Sequence, residues 1–430
     1  MCGIFISPSD LLTSAGLGQM RYRGPDASHI VSAGDLCVGF ARLAIVDTDA
    51  AEAQQPHRTA KGRIVVMNGE IYNYHSLDPA AKSEVELLGR MLDDGLDPRH
   101  FIDGDYAIAS FDPSNRLLTL YRDRFGACPL YYQVKPFVAV SSERRWLNSA
   151  IELMPHQKVV IRVTGRFARG KVVQRNRWPH YGLTVFDSPP PSVPYFKSLL
   201  RRAVLSRAMH SDTGFSVTCS GGLDSSAVIF AMRDLGIAPK LMLCVSFGDT
   251  EDSRHALQVA SSTGFPLKVI YVDEALLARD RDKIMEHSDC RSLQPLQWRV
   301  AVRNWYVAQN SPTRVVLSGE GSDELFSGYP PHPERLKIPY RIAAKQLGAL
   351  NSLPKCSLDL SNKIGLAHSV EFRAPFLHSL LSYSLLATQT GAHKHLLRSI
   401  LSNFGAPADL VHRGKWGSNE QLLDASMENA

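Results

Sequence analysis

Ser220-Gly221-Gly222-Leu223-Asp224-Ser225-Ser226 decides how the C-terminal half of this chain folds, because an apolar run leads into it and a helical pattern leads out. Phe215 to Cys219 alternates as a buried strand does. From Ser225 onward, Val228, Ala231 and Leu235 recur at helical spacing, and Gly236 is placed to cap the helix. The heptapeptide therefore reads as a strand-to-helix turn. Gly221 and Gly222 let the backbone approach a polyanion closely, while free amides at the helix N-terminus and the hydroxyls of Ser220 and Ser225 are donors for phosphate oxygens. Asp224 works in the opposite sense: a carboxylate beside phosphate is repelled unless a cation lies between them, so Asp224 reads as a Mg²⁺ ligand. No Lys-Ser/Thr pair follows, which separates this turn from a Walker-type loop. The bland alternative is a glycine turn capped by serine.

The heptapeptide resembles the pyrophosphate loop of ATP-pyrophosphatase enzymes, which cleave ATP between its α- and β-phosphates to adenylate a substrate. The resemblance implies ATP as a substrate, with AMP and pyrophosphate as products. Beyond the loop, strand-like Lys240 to Phe247, helix-like Asp252 to Thr263, and strand-like Leu267 to Val272 and Thr313 to Leu317 alternate with helical stretches. This alternation predicts a Rossmann-like, mostly parallel sheet covered on both faces, whose ligands collect at the carboxyl ends of its strands. The expected ATP contacts are Cys219, Ser220, Gly221, Gly222, Asp224, Ser225, Phe247, Ser318 and Gly319. After the last of those strands comes Ser318-Gly319-Glu320-Gly321-Ser322-Asp323-Glu324-Leu325-Phe326-Ser327-Gly328-Tyr329, which resembles asparagine synthetase. Three acids beside a nucleotide call for counter-charge. Asp323 is expected to be a second Mg²⁺ ligand, and Glu320 to meet the acyl-adenylate and take a proton from attacking ammonia. A solvated acidic turn is the alternative.

Further on, Ala367 to His378 resembles a family segment that ends in aspartate where this chain has His378, and Asn362-Lys363 stand where an Asp-Arg pair is usual. These exchanges shift local charge toward positive: if the positions touch the acceptor, an ammonium is held less well and an extra anionic or bulky group is tolerated better, whereas if they only brace the helix behind the pocket, aspartate remains the substrate. Arg413-Gly414-Lys415 matches the family's late lysine, so the resemblance implies that the Lys415 ammonium neutralises the leaving pyrophosphate. The segments between Tyr329 and Leu353 and after Lys415 are shorter than the family usually carries. The wall they form is thinner, or is one that a partner subunit, as in a homodimer, could complete.

The first half opens Met1-Cys2-Gly3. Removal of Met1 would leave Cys2 with a free α-amine of near-neutral pKa, able to serve as general base for its own thiol; alone, Cys2 reads equally as a buried apolar residue opening a strand. Arg23-Gly24-Pro25-Asp26, Ala41 to Asp47 and Val66 to Asn73 follow. In order and spacing these resemble the glutaminase domain of class II, N-terminal-nucleophile amidotransferases. The resemblance implies an αββα sandwich, with Cys2 the nucleophile and with Asn68 and the Gly69 amide forming an oxyanion hole. Glutamine would be bound by Arg42, Leu43, Ala44, Ile45 and Val46, by Asn68, Gly69 and Glu70, and by Glu84, which stands where the family has aspartate. Asp103 to Ala107, Arg122 to Gly126, Pro129 to Tyr132 and Ser141-Ser142-Glu143 keep the register.

Ser188-Pro189-Pro190-Pro191-Ser192 lies at the centre of an irregular stretch, and three prolines deny helix and central strand alike. The expected organisation is a glutaminase domain at 1–178, a linker at 179–194 and a synthetase domain at 195–430. Of the 430 residues 44% are hydrophobic, ordinary for a globular chain. The net charge of +6 is dispersed, so no nucleic-acid surface is indicated. Seven cysteines without paired spacing suggest neither zinc nor a disulfide framework, and with no signal peptide and no membrane-length apolar run the cytosol is expected.

The function implied is a glutamine-dependent amide-forming ligase using glutamine, ATP·Mg²⁺ and a carboxylate acceptor, aspartate by default. Three rivals stand beside it: the same chemistry on a specialised-metabolite or peptide carboxylate, an ammonia-independent cyclase of the β-lactam or lasso type, and a non-catalytic regulator. Cys2, Arg42 and Asn68 argue against the cyclase.

Overall fold

Alternating apolar residues in the first half pair into two antiparallel six-stranded sheets. The computed structural model describes residues 2–46, 53–165, 168–177, 192–289, 292–328, 346, 348–386 and 394–414. The chain divides into two compact units, the second beginning within the undescribed stretch before Ser192. The expected linker, 179–194, lies almost wholly outside the described residues.

In the first unit the strands are β1 (Gly3–Ser7), β2 (Ala27–Ala33), β3 (Leu36–Arg42), β4 (His57–Arg58), β5 (Ile64–Ile71) and β6 (Gly104–Asp112). They continue as β7 (Leu117–Arg122), β8 (Tyr131–Gln133), β9 (Ala139–Ser141), β10 (Ile151–Glu152), β11 (Gln157–Thr164) and β12 (Arg169–Arg177). One sheet runs β10-β8-β9-β1-β3-β2 and the other β12-β11-β7-β6-β5-β4. β1 and β3 lie against β5, so the sheets are stacked. Helix α1 (Asp10–Gln19) packs on the outside of β1, β2 and β3; beyond the short α2 (Tyr74–Leu77), α3 (Glu84–Asp93) packs on β4 and β5. The order helix, sheet, sheet, helix is the expected αββα sandwich. Strand periodicity places the site: Val65, Met67 and Ile71 join the apolar cluster under α3, so Asn68 and Glu70 point the other way, between the sheets.

The second unit carries β13 (Ser216–Thr218), β14 (Met242–Ser246), β15 (Leu267–Tyr271), β16 (Val315–Leu317) and β17 (Glu371–Arg373) in the order β15-β14-β13-β16-β17, all parallel. Successive residues of β16 are all fully buried, which requires cover on both faces. Its helices include α4 (Val193–Met209), α5 (Leu223–Leu235), α6 (Glu251–Thr263), α7 (Glu274–Ser288), α8 (Pro295–Asn310) and the single turn α9 (Ser322–Leu325), and after them come the helices Asp359–Leu366, Ser379–Leu386, His395–Asn403 and Ala408–His412. α4 begins two residues before the expected Tyr195, because Pro194 in a first helical turn lacks only an amide that has no partner there anyway. From β13 the chain winds outward through β14 and β15, then crosses to β16 on the other side. The loops after β13 and β16 thus flank the switch point, where parallel sheets bind their ligands. Those loops are the two motifs picked out from sequence. No helix among the described residues is long and apolar enough to cross a membrane.

Candidate active sites

In the first unit, Cys2 precedes β1 and is buried at the mouth of a cleft lined by Arg42, Leu43, Ile45, Val46, Gln55, Gly69, Glu70 and Glu84. The Cys2 nitrogen, a peptide amide while Met1 is attached, donates to Asn68 Oδ1 at 2.5 Å. The Leu43 amide points at Cys2 Sγ from 3.4 Å. Asn68 Nδ2 is fully buried with no hydrogen-bond partner among the described residues, which is costly for a donor unless something else uses it. Gly69 has φ +124°, and a Cβ there would fall 1.9 Å from the Asp105 carbonyl oxygen, so only glycine fits beside β6.

Loop 43–46 is held by its own polar groups: the Ala44 amide donates to Asp26 Oδ2 at 2.7 Å, and Arg42 Nη2 reaches the Val46 carbonyl at 3.4 Å. Glu84, the first residue of α3, accepts from the Ile71 amide at the end of β5. The extra methylene relative to aspartate is thus spent reaching a strand end.

Sequence motifs without an obvious task turn out to hold the N-terminus. Arg23 donates through Nε to the Cys2 carbonyl at 3.3 Å and through Nη1 to Glu143 at 3.2 Å, with both side chains essentially inaccessible. Ser142 Oγ accepts from the Ile4 amide at 2.9 Å. Asp123 folds its own loop by accepting from the amides of Phe125, Gly126, Ala127 and Cys128. Gln55, which sequence reasoning missed, lines the cleft and accepts from the Met67 amide at 2.6 Å.

In the second unit Gly222 is the N-cap of α5, and Asp224 lies in its first turn. The Ser220 and Ser225 hydroxyls meet at 3.2 Å, and the Gly222 amide donates to Ser220 Oγ at 3.3 Å. The Cys219 thiol is buried and pushed up to about 12 by desolvation, and its amide is taken by the Leu243 carbonyl, so only backbone there could face a ligand. Phe247 and Ser318 are buried at the same end of the sheet.

Asp224 and Asp323 converge on a residue that sequence reasoning did not find. Lys394 Nζ lies 2.5 Å from Asp224 Oδ1 and 2.6 Å from Asp323 Oδ1, and Ser322 Oγ donates to the same Asp224 oxygen at 2.7 Å. Burial would push the lysine down, but the two carboxylates outweigh it and hold the group above its ordinary value. Nothing local marks Lys394, since it stands 170 residues from Asp224. Arg413 donates to the Ser220 carbonyl at 3.3 Å and pairs with Asp252, anchoring the phosphate-type loop from behind. Lys415 lies outside the described residues.

Glu320 accepts from Ser361 Oγ at 2.7 Å and from Ser318 Oγ at 3.4 Å, and Asn304 Nδ2 donates to Ser361 at 2.9 Å. Desolvation pushes its carboxyl above the ordinary range against these hydroxyls.

Residues 1–164 match the family described as glutamine amidotransferase domain, and residues 195–350 match asparagine synthase. A probable glutamine-hydrolysing asparagine synthetase of Acanthamoeba polyphaga mimivirus is 30% identical over 378 residues, covering 76% of this chain and 68% of the viral protein. The chain belongs to the asparagine synthetase family. The glutamine-hydrolysing asparagine synthetase of Mus musculus is 27% identical over 476 aligned positions, 96% of this chain and 83% of the mouse protein. Among solved structures, the glutamine phosphoribosylpyrophosphate amidotransferase of B. subtilis covers 75% of this chain and 77% of its own at 14% identity, with a TM-score of 0.34. As a member of the asparagine synthetase family, the chain is an ATP-dependent, glutamine-hydrolysing amide ligase.

Its departures from the family pattern are buried braces. His378 Nδ1 accepts from the Leu380 amide at 3.1 Å and caps the helix Ser379–Leu386. Lys363 pairs with Asp289 at 3.4 Å, both side chains nearly inaccessible, and Asn362 is buried beside it.

Proposed function

We propose that this ligase makes asparagine: glutamine is hydrolysed at Cys2, aspartate is adenylated in the second unit, and the ammonia displaces AMP. The observation that carries the first half is the joint commitment of Asn68, whose Oδ1 holds the Cys2 nitrogen while its buried Nδ2 has no partner among the described residues. With Met1 removed, the Cys2 α-amine takes the thiol proton, and the thiolate attacks the glutamine amide carbon. Oxyanion charge falls on Asn68 Nδ2 and the Gly69 amide; ammonia leaves, and water releases glutamate from the thioester. Arg42 fits the substrate carboxylate, and Glu70 and Glu84 fit its ammonium.

In the second unit the acceptor carboxylate attacks the α-phosphorus and pyrophosphate leaves, with donors from the Ser220–Ser225 turn and positive charge from Lys394 and Lys415. Glu320 accepts the proton that ammonia loses as it attacks the acyl carbon. Two carboxylates close enough to share one cation fit a magnesium ion, which would be held by Asp224 and Asp323 and would offset pyrophosphate charge. Aspartate is favoured because His378 and Lys363 are consumed by bracing and so do not build a different acceptor pocket. The six described cysteines are free thiols, in keeping with a cytosolic enzyme.

The test is pyrophosphate and asparagine formation from aspartate, with glutamine or with ammonia. Cys2→Ala should abolish the glutamine-driven reaction and spare the ammonia-driven one. Failure of the wild type to turn over saturating aspartate would assign the site to another carboxylate.

A further inference from the structure

Lys394 heads the helix His395–Asn403 with φ +58°, a left-handed conformation uncommon for lysine, and its side chain is only 8% exposed. The ammonium is boxed in. A Cβ on Gly328 would lie 2.0 Å from Asp323 Oδ1 and 2.2 Å from Lys394 Cε, so the chain passes directly over the ion pair. Asp224 Oδ1 already serves two donors, Lys394 and Ser322. A divalent cation bridging these two carboxylates, about 2.0–2.1 Å from an oxygen of each, would stand beside or in place of the ammonium. Two cations at adjoining positions in a partly desolvated site repel strongly.

We propose that Lys394 excludes free divalent cations from the nucleotide-free synthetase site, so that the metal enters only together with ATP, whose phosphates give the displaced ammonium a new partner. The inference rests on the reading of Asp224 and Asp323 as the metal–nucleotide site. It makes nucleotide and metal a single ligand, and it keeps two carboxylates neutralised between turnovers.

The experiment uses the full chain and Mn²⁺, whose electron paramagnetic resonance signal is lost on binding. Wild type without nucleotide should leave the signal unchanged, whereas Lys394→Gln should bind Mn²⁺ about tenfold more tightly or better, since one unit of repelling charge is gone. Adding Asp224→Asn to that variant should abolish the gained site. Mn²⁺ binding by nucleotide-free wild type that Asp224→Asn removes would overturn the exclusion, and so would a folded Lys394→Gln that gains nothing. The wild-type arm decides even where the variant does not fold. Equilibrium dialysis of wild type with Mn²⁺ and α,β-methylene-ATP tests the underlying reading separately: retention supports it, and no retention would overturn the nucleotide site itself.

Discussion

Asn68→Asp separates the two tasks assigned to that side chain. Aspartate keeps an oxygen where Cys2 needs one, at the end of the 2.5 Å contact, but replaces the only side-chain donor of the oxyanion hole with an acceptor. Loss of one such donor costs about 2.7–4 kcal/mol of transition-state stabilisation, roughly 10²–10³-fold in kcat. The ground-state contacts proposed for Arg42 and Glu70 would be untouched, so the loss should fall on kcat and leave the KM for glutamine within about threefold. The assay is glutamate release at saturating glutamine, with ammonia-driven pyrophosphate release as the internal control. Cys2 itself remains able to attack, so slow turnover rather than silence is expected. Glutaminase kcat within about threefold of wild type would refute the oxyanion assignment. An equal loss in the ammonia-driven reaction would show the substitution acting through the fold.

Glu143→Gln keeps the shape of the residue but strands the Arg23 guanidinium in a site without solvent. Removing one partner of a buried pair costs about 3–5 kcal/mol, so the urea midpoint and glutaminase activity should fall together. His378→Ala should cost about 1 kcal/mol through the lost cap and leave the KM for aspartate unchanged; a tenfold change in that KM, roughly 1.4 kcal/mol, would place the ring at the substrate. Asp97 sits below its ordinary 3.8 because its hydrogen bond and charge pairing with Arg99 outweigh partial desolvation. A depressed carboxyl contributes stability above its unfolded pKa and loses it as pH falls through the folded one. The thermal midpoints of wild type and Asp97→Asn should therefore differ at about pH 5 and converge toward about pH 2.

The switch-point loops were legible because glycine, serine and strand-helix periodicity coincide there; α5 ends where that pattern predicts, with Gly236 as its cap, and begins at Leu223, two residues before the expected Ser225. β17 was not. Its ends are Glu371 and Arg373, charges that sequence reasoning assigns to a surface. In a strand they share one face, and they pair at 2.6 Å with both side chains fully buried, so the segment can sit in the sheet as if it were apolar. Lys394 was illegible for another reason: a lone lysine carries no local pattern, and its meaning comes from two aspartates far away in sequence. The brace formed by Arg23, Ser142 and Glu143 lay in motifs that could be quoted but not explained, because Arg23 and Ser142 meet the backbone of residues 2 and 4 and Glu143 meets Arg23.

The exchanges at 362, 363 and 378 suggest either a pocket pushed toward positive charge or a brace behind it, and the contacts at each position fit the brace. The Leu380 amide donates to His378 Nδ1, so that nitrogen must present a lone pair, and the ring contributes no charge while it caps the helix. Lys363 does bring an ammonium, but Asp289 meets it in a site closed to solvent, so the pair is locally neutral. Asp289, in a left-handed conformation at the end of α7, brings the carboxylate that pairs with Lys363. What faces Glu320 from the helix Asp359–Leu366 is then Ser361, a neutral hydroxyl fixed by Asn304. On the function proposed above, the acceptor's ammonium and carboxylate would be met by Glu320 and the nucleotide loops rather than by positions 362, 363 and 378.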